Sequence, residues 1–155
     1  MNRARKFEVA YEIDSSEWER SAERRREQWA VPVVHAFRGN LNLGSGDAKL
    51  FVGDVRLSVA DFACQAAIRL RSGVAFSSEG WIFEELDGAR HINFTPADGF
   101  VQVTSDVPQS VSMKAVGELI ETGLRSFVSR FSRDVTDHIP GALEWKDLSE
   151  LKGFA

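Results

Sequence analysis

Trp81-Ile82-Phe83-Glu84-Glu85-Leu86-Asp87-Gly88-Ala89-Arg90-His91-Ile92-Asn93-Phe94 is the stretch around which the chain is organised. Asp-Gly between two alternating apolar runs signals a two-residue hairpin turn, because both turn positions need positive φ. Closing the loop at Asp87-Gly88 sets Leu86 opposite Ala89, Glu85 opposite Arg90, Glu84 opposite His91, Phe83 opposite Ile92 and Trp81 opposite Phe94. Trp81, Phe83, Ile92 and Phe94 then share one face, an aromatic-rich set of the kind that stabilises antiparallel pairs. That face ends in the opposite-charge pair Glu85/Arg90. The other face carries Ile82, Glu84, His91 and Asn93.

Length and composition bound the rest. With 155 residues, 43% hydrophobic and 27% charged, the expectation is one globular domain over 1–155. The formal net charge of -4 argues against a nucleic-acid surface and favours basic partners. Cys64 is the single cysteine, which excludes an internal disulfide and a cysteine zinc cluster; its neighbours place it on a buried helix position. The first residues are basic but lack an apolar core, so no signal peptide is expected. No apolar run reaches the length of a membrane span. Together these point to a cytoplasmic protein with no membrane partner.

Taken in order, Phe7, Val9, Tyr11 and Ile13 alternate with polar residues as a half-buried strand. Ser16 and Glu19 have capping-box spacing for a helix with Trp18, Ala22, Arg25 and Trp29 on its stripe, ended by Pro32. Its Arg-rich surface is nearly cancelled by interleaved glutamates, which marks a solvated face. Val33–Leu43 alternates again. A four-residue turn, Gly44–Asp47, would pair Leu43 with Ala48 and Leu41 with Leu50, and Asp54–Leu57 connects or extends the strand through a bulge. Ser58 and Asp61 cap a helix with Val59, Phe62, Ala63, Ala66, Ala67 and Leu70 inward, and Gly73 stops it. After the hairpin, Thr95–Gly99 turns the chain into a strand over Phe100–Thr104. A long helix runs from Ser112 to His138 on the stripe Val116, Leu119, Ile120, Leu124, Phe127, Val128, Phe131 and Val135. Gly123 falls on that stripe and implies close approach to another backbone. Leu143, Trp145, Leu148 and Leu151 form a short helical tail. The expected fold is α+β: a mostly antiparallel sheet of about six strands, helices on one face, two layers.

Chemistry is sparse. Gly44-Ser45-Gly46 joins strands and lacks the later lysine of a phosphate loop. The three histidines are far apart: His35 lies in an apolar row, His138 closes the long helix where it complements the dipole, and only His91 gains a partner from the hairpin. His91 opposite Glu84, with Glu85 and Asp87 near, could supply an acid–base dyad or half a metal site; an exposed cross-strand pair is the bland alternative. No catalytic residue, metal or cofactor is assigned. Polar residues including Glu8, Glu12, Arg38, Asn40, Asn42 and Lys49 should share the outward sheet face with a few apolar anchors. The set Phe51, Ile82, Glu84, Asp87, His91, Asn93 and Phe100 is expected to meet a protein partner there.

The Phe37-Arg38-Gly39-Asn40-Leu41 hairpin, the Phe51-Val52-Gly53-Asp54 strand end, the Trp81-Ile82-Phe83 meander and the long last helix resemble, in their order, small cytoplasmic immunity proteins of bacterial polymorphic-toxin and contact-dependent inhibition systems. The resemblance implies a non-enzymatic protein that neutralises a toxin domain by forming a stoichiometric complex, often through an acidic surface that a basic domain complements. It rests on element order and carries over no individual residue. Two other readings stand beside it: a small enzyme or ligand-binding domain with a sheet–helix pocket near His35 or Glu84/His91, and a subunit of a larger assembly, which includes a homodimer.

Overall fold

The hairpin register expected at Trp81–Phe94 is present at every described pair, Leu86 and Ala89 lying outside the described residues: Trp81 pairs with Phe94, Ile82 with Asn93, Phe83 with Ile92 and Glu84 with His91. The Glu85 N–H donates to the Arg90 carbonyl at 3.0 Å, which carries the same register one step further. The computed structural model describes residues 6–26, 36–45, 48–51, 57–85, 90–106 and 112–154, so the Asp87-Gly88 turn itself lies outside the described residues. Element order is β1 (Glu8–Glu12), α1 (Ser15–Arg26), β2 (Arg38–Ser45), β3 (Ala48–Phe51), β4 (Leu57–Ser58), α2 (Val59–Arg71), β5 (Trp81–Glu84), β6 (His91–Ala97), β7 (Phe100–Ser105), β8 (Met113–Ala115) and α3 (Gly117–His138). Two short 3-10 segments follow, Ala142–Glu144 and Lys146–Leu151.

The class is α+β, but the strands form two antiparallel sheets and not one of six strands. The first has the order β1-β2-β3, with β4 also paired to β2; the second is β5-β6-β7-β8. Alternation gives each strand an inward face but does not specify which edge it joins. Here β4 runs straight into α2, and α2 delivers the chain to the second sheet. Helix α2 packs on β2 and β5, α3 on β1 and β7, and the two helices pack on each other. The helix pair thus bridges both sheets over one continuous core.

Three other expectations are corrected. The β2–β3 ladder closes at Ser45↔Ala48 and sets Leu43 opposite Leu50, so the connection is two residues and not four. A slip of two keeps the alternation in step, which is why alternation alone could not detect it. Helix α3 begins at Gly117, because Met113–Ala115 is drawn into β8 against β7. Helix α1 begins at Ser15, its first N–H groups bonding to the Asp14 carbonyl from Glu17 and Trp18 at 3.0 Å. Ser16 and Glu19 are therefore not its cap. Arg25's side chain, Trp29, Pro32 and His35 lie outside the described residues.

Glu17 and Ser21, on the inner face of α1, are buried and neither was expected there. The Arg38 N–H donates to Glu17 Oε1 at 3.0 Å and the Phe37 N–H to Ser21 Oγ at 2.9 Å. From the other side the Ser58 hydroxyl donates to the Ala36 carbonyl at 2.8 Å and accepts the Asp61 N–H at 3.1 Å. The start of β2, where Phe37 has φ +54°, is thereby fixed by both α1 and the cap of α2. Buried backbone donors left without partners are costly, so these side chains specify the entry into β2.

On the stripe of α3, Ile120, Leu124, Phe127, Val128, Phe131 and Val135 are buried, and Val116, its expected first member, is exposed. Gly123 does meet a backbone: a Cβ there would sit 2.4 Å from the Phe7 carbonyl oxygen. Between β1 and α3 the Tyr11 hydroxyl donates to Asp134 Oδ2, Arg130 Nη2 donates to the Val9 carbonyl at 2.5 Å, and the Arg130 guanidinium lies over the Tyr11 ring. Burial first, and the Asp134 carboxylate second, push the Tyr11 hydroxyl well above its ordinary pKa. Burial likewise pushes the Cys64 thiol to about 12, in keeping with a structural cysteine. Both groups stay protonated in the folded chain at a pH where the unfolded chain releases the proton. Their contribution is therefore whole below the ordinary tyrosine and cysteine ranges and lost above them. Denaturant unfolding at pH 8 and at pH 10.5 should show stability falling with pH in the native sequence and falling less in Tyr11→Phe; equal losses would show that Tyr11 is not the titrating group.

Candidate functional site

Outward positions of the second sheet follow directly from its ladders. Phe83, Ile92, Phe94, Val101, Val103, Met113 and Ala115 point into the core, so the alternate residues face out. They stand in cross-strand rows: Glu84 beside His91; Ile82 beside Asn93 beside Thr104; Thr95 beside Gln102 beside Lys114; Ala97 beside Phe100. The row of Glu84 and His91 gains a third member across β7, because the Asp106 N–H donates to the His91 carbonyl at 3.4 Å.

Local sequence explains this geometry. Asp98 and Gly99 have φ +50° and +82°, the positive pair that a two-residue hairpin turn requires. The ladder therefore runs to Ala97↔Phe100, with Pro96 opposite Val101, and the turn is confined to Asp98-Gly99 and does not spread over Thr95–Gly99. Chain direction then brings Asp106 back beside His91.

His91 is held between two carboxylates. Its Nε2 lies 3.4 Å from Glu84 Oε1 and its Nδ1 lies 3.6 Å from Asp106 Oδ2, while Arg90 Nη1 is 4.0 Å from the same Asp106 oxygen. Asp106 was not singled out from the sequence, although the even-numbered row of β7, continued two residues past Thr104, leads to it. Glu85, beside this row on the inward face, is buried. One step along the sheet Ile82 is 63% exposed, the most exposed large apolar side chain among the described residues.

Of the expected partner-binding set, Glu84, His91, Ile82, Asn93 and Phe100 lie together on this face. Phe51 does not join them: it pairs with Asn42 in the first sheet. Glu8, Glu12, Arg38, Asn40 and Asn42 also belong to that first sheet, so the polar face expected to be continuous is divided between two sheets. Asp87 lies outside the described residues. His138 does close α3, with Nδ1 2.9 Å from the Asp134 carbonyl, and its ring stacks on Trp18 at 4.1 Å between centroids. Among the described residues no group of three or more His, Cys, Asp or Glu side chains is arranged to hold a metal ion, and no helix is long and apolar enough to cross a membrane. No family model, curated protein or solved structure matches the chain.

Proposed function

We propose that the chain is a non-enzymatic protein-binding module that neutralises a toxin domain in a stoichiometric complex, and that the outward face of β5–β8 meets the partner. The observation that carries this reading is Ile82, an apolar side chain held out to solvent, with Asn93 opposite it on β6 and Glu84 two residues further along β5. Exposed apolar anchors ringed by polar residues are what interface centres use, because the anchor contributes most of the affinity once the rim excludes water. The net charge of -4 suits a basic partner, whose approach it would accelerate. The toxin assignment itself draws on the resemblance in element order.

Co-expression with the product of the adjacent gene tests it. The expected result is relief of toxicity and recovery of a one-to-one complex, and Ile82→Asp should abolish capture while shifting stability by no more than about 0.5 kcal/mol, as at other surface sites. Recovery of free monomer with toxicity unrelieved would overturn the proposal. A small enzyme built on His91 would instead lose turnover in His91→Ala and keep its partner affinity.

A further inference from the structure

We propose that residues 142–154 form a strap that lifts from α2 and α3 as a unit while both sheets stay formed. It turns away from α3 at Gly141, where φ is +85°. The strap carries the two 3-10 segments and packs on both helices. Its backbone bonds are local: the N–H groups of Glu144, Trp145, Leu148, Lys152 and Phe154 each reach back three residues, so these bonds travel with the strap. Side chains hold it to α2. Arg71 donates to Glu150 Oε2 at 2.7 Å and to the Lys152 carbonyl at 2.5 Å, with its guanidinium 5.0 Å from the Phe154 ring centroid. The Cys64 thiol donates to the Asp147 carbonyl at 3.6 Å. The Arg71 contacts are exposed and therefore weak. The burial of Leu148 and Leu151 is the main anchor.

Helical spacing sets what the strap covers. Cys64 and Arg71 stand two turns apart, so Ala60 and Ala67 share their side of α2. Each alanine projects only a methyl, which leaves room for the two leucines. Gln65 and Arg69, which reach β5, lie on another side of the same helix. The second sheet therefore keeps its hold on α2 when the strap lifts. Lifting also removes much of what makes Cys64 inert. Burial comes first among the causes of its raised pKa and Asp61 second, but the next two, Glu150 and Asp147, belong to the strap. Closed, the strap masks the thiol; open, it leaves a thiol that ionises and reacts more readily. The strap does not depend on the protein-binding role: failure to capture a partner would leave it standing.

Labelling of the whole folded chain with N-ethylmaleimide, followed by mass, tests the strap, since Cys64 is the single cysteine. The expected rate barely changes with urea below the unfolding transition, because lifting the strap exposes little surface. Leu151→Ala should speed labelling about 30-fold or more, the cost of deleting a buried leucine expressed as an opening equilibrium. Arg71→Ala, at an exposed side chain, should speed it about 2–5-fold and serves if Leu151→Ala does not fold. Ile92→Val, in the second sheet, should lower global stability and leave the labelling rate unchanged. Labelling no faster than global unfolding permits and rising in Ile92→Val as stability falls would overturn the proposal. So would labelling that is immediate in the native sequence and unaffected by Leu151→Ala.

Discussion

Phe62→Ala should destabilise the chain by about 3–5 kcal/mol, the range for removing a buried aromatic ring. Phe62 on α2 is fully buried, and its ring meets Phe83 at 4.9 Å, Phe127 at 5.5 Å and Trp81 at 5.8 Å. It therefore touches the second sheet and α3 at once. The neighbours that would have to close the cavity are held by separate elements, so little of the lost contact can be recovered by relaxation. Edge-to-face ring pairs add to the loss beyond the area alone. Denaturant unfolding measures it directly; a loss below about 1 kcal/mol would mean that the helix pair and the second sheet are not joined through this ring.

Gly123→Val should cost at least about 3 kcal/mol, the upper end of what overpacking a well-filled interior does. A Cβ at this position would lie 2.4 Å from the Phe7 carbonyl oxygen and 2.6 Å from Phe7 Cδ1. One of those atoms is backbone, so the obstacle cannot rotate away. Phe7 also packs edge-to-face on Phe94, so pushing it aside disturbs the second sheet as well. Alanine at 123 gains helix propensity of about 1 kcal/mol and meets the same carbonyl, which makes Gly123→Ala the milder member of the pair. A Val variant as stable as the native chain would show that β1 and α3 are not in close contact.

Much of this was legible because the informative signals were local. The Asp-Gly signal behind the β5–β6 register, the Ser58/Asp61 cap and the 3.6-residue stripe of α3 each act within a few residues. Gly123 was legible for a different reason, since a glycine on an apolar stripe sacrifices helix propensity and so points to a close neighbour. The illegible features depend on distant partners. Nothing near Glu17 announces that its carboxylate will receive the Arg38 N–H, and nothing near Tyr11 announces Asp134. Strand alternation left the division into two sheets undetermined, since each strand needs only an apolar face to bury. The candidate site was half legible: Glu84/His91 followed from turn closure, but Asp106 required the next turn to be confined to Asp98-Gly99.

The helices also have a protective consequence for the sheets. Strand β5 and its lead-in receive Gln65 Nε2 on the Glu84 carbonyl and Arg69 Nη2 on the Glu79 carbonyl, and β1 receives Arg130 on the Val9 carbonyl. These are outermost strands of the two sheets, the positions where unpaired backbone invites another chain to add itself. Long side chains from α2 and α3 occupy carbonyls there, so the helices that fill the core also act as guards against edge-to-edge assembly. Aggregation of this chain would then begin with the partial lifting of α2 or α3, before the sheets themselves come apart.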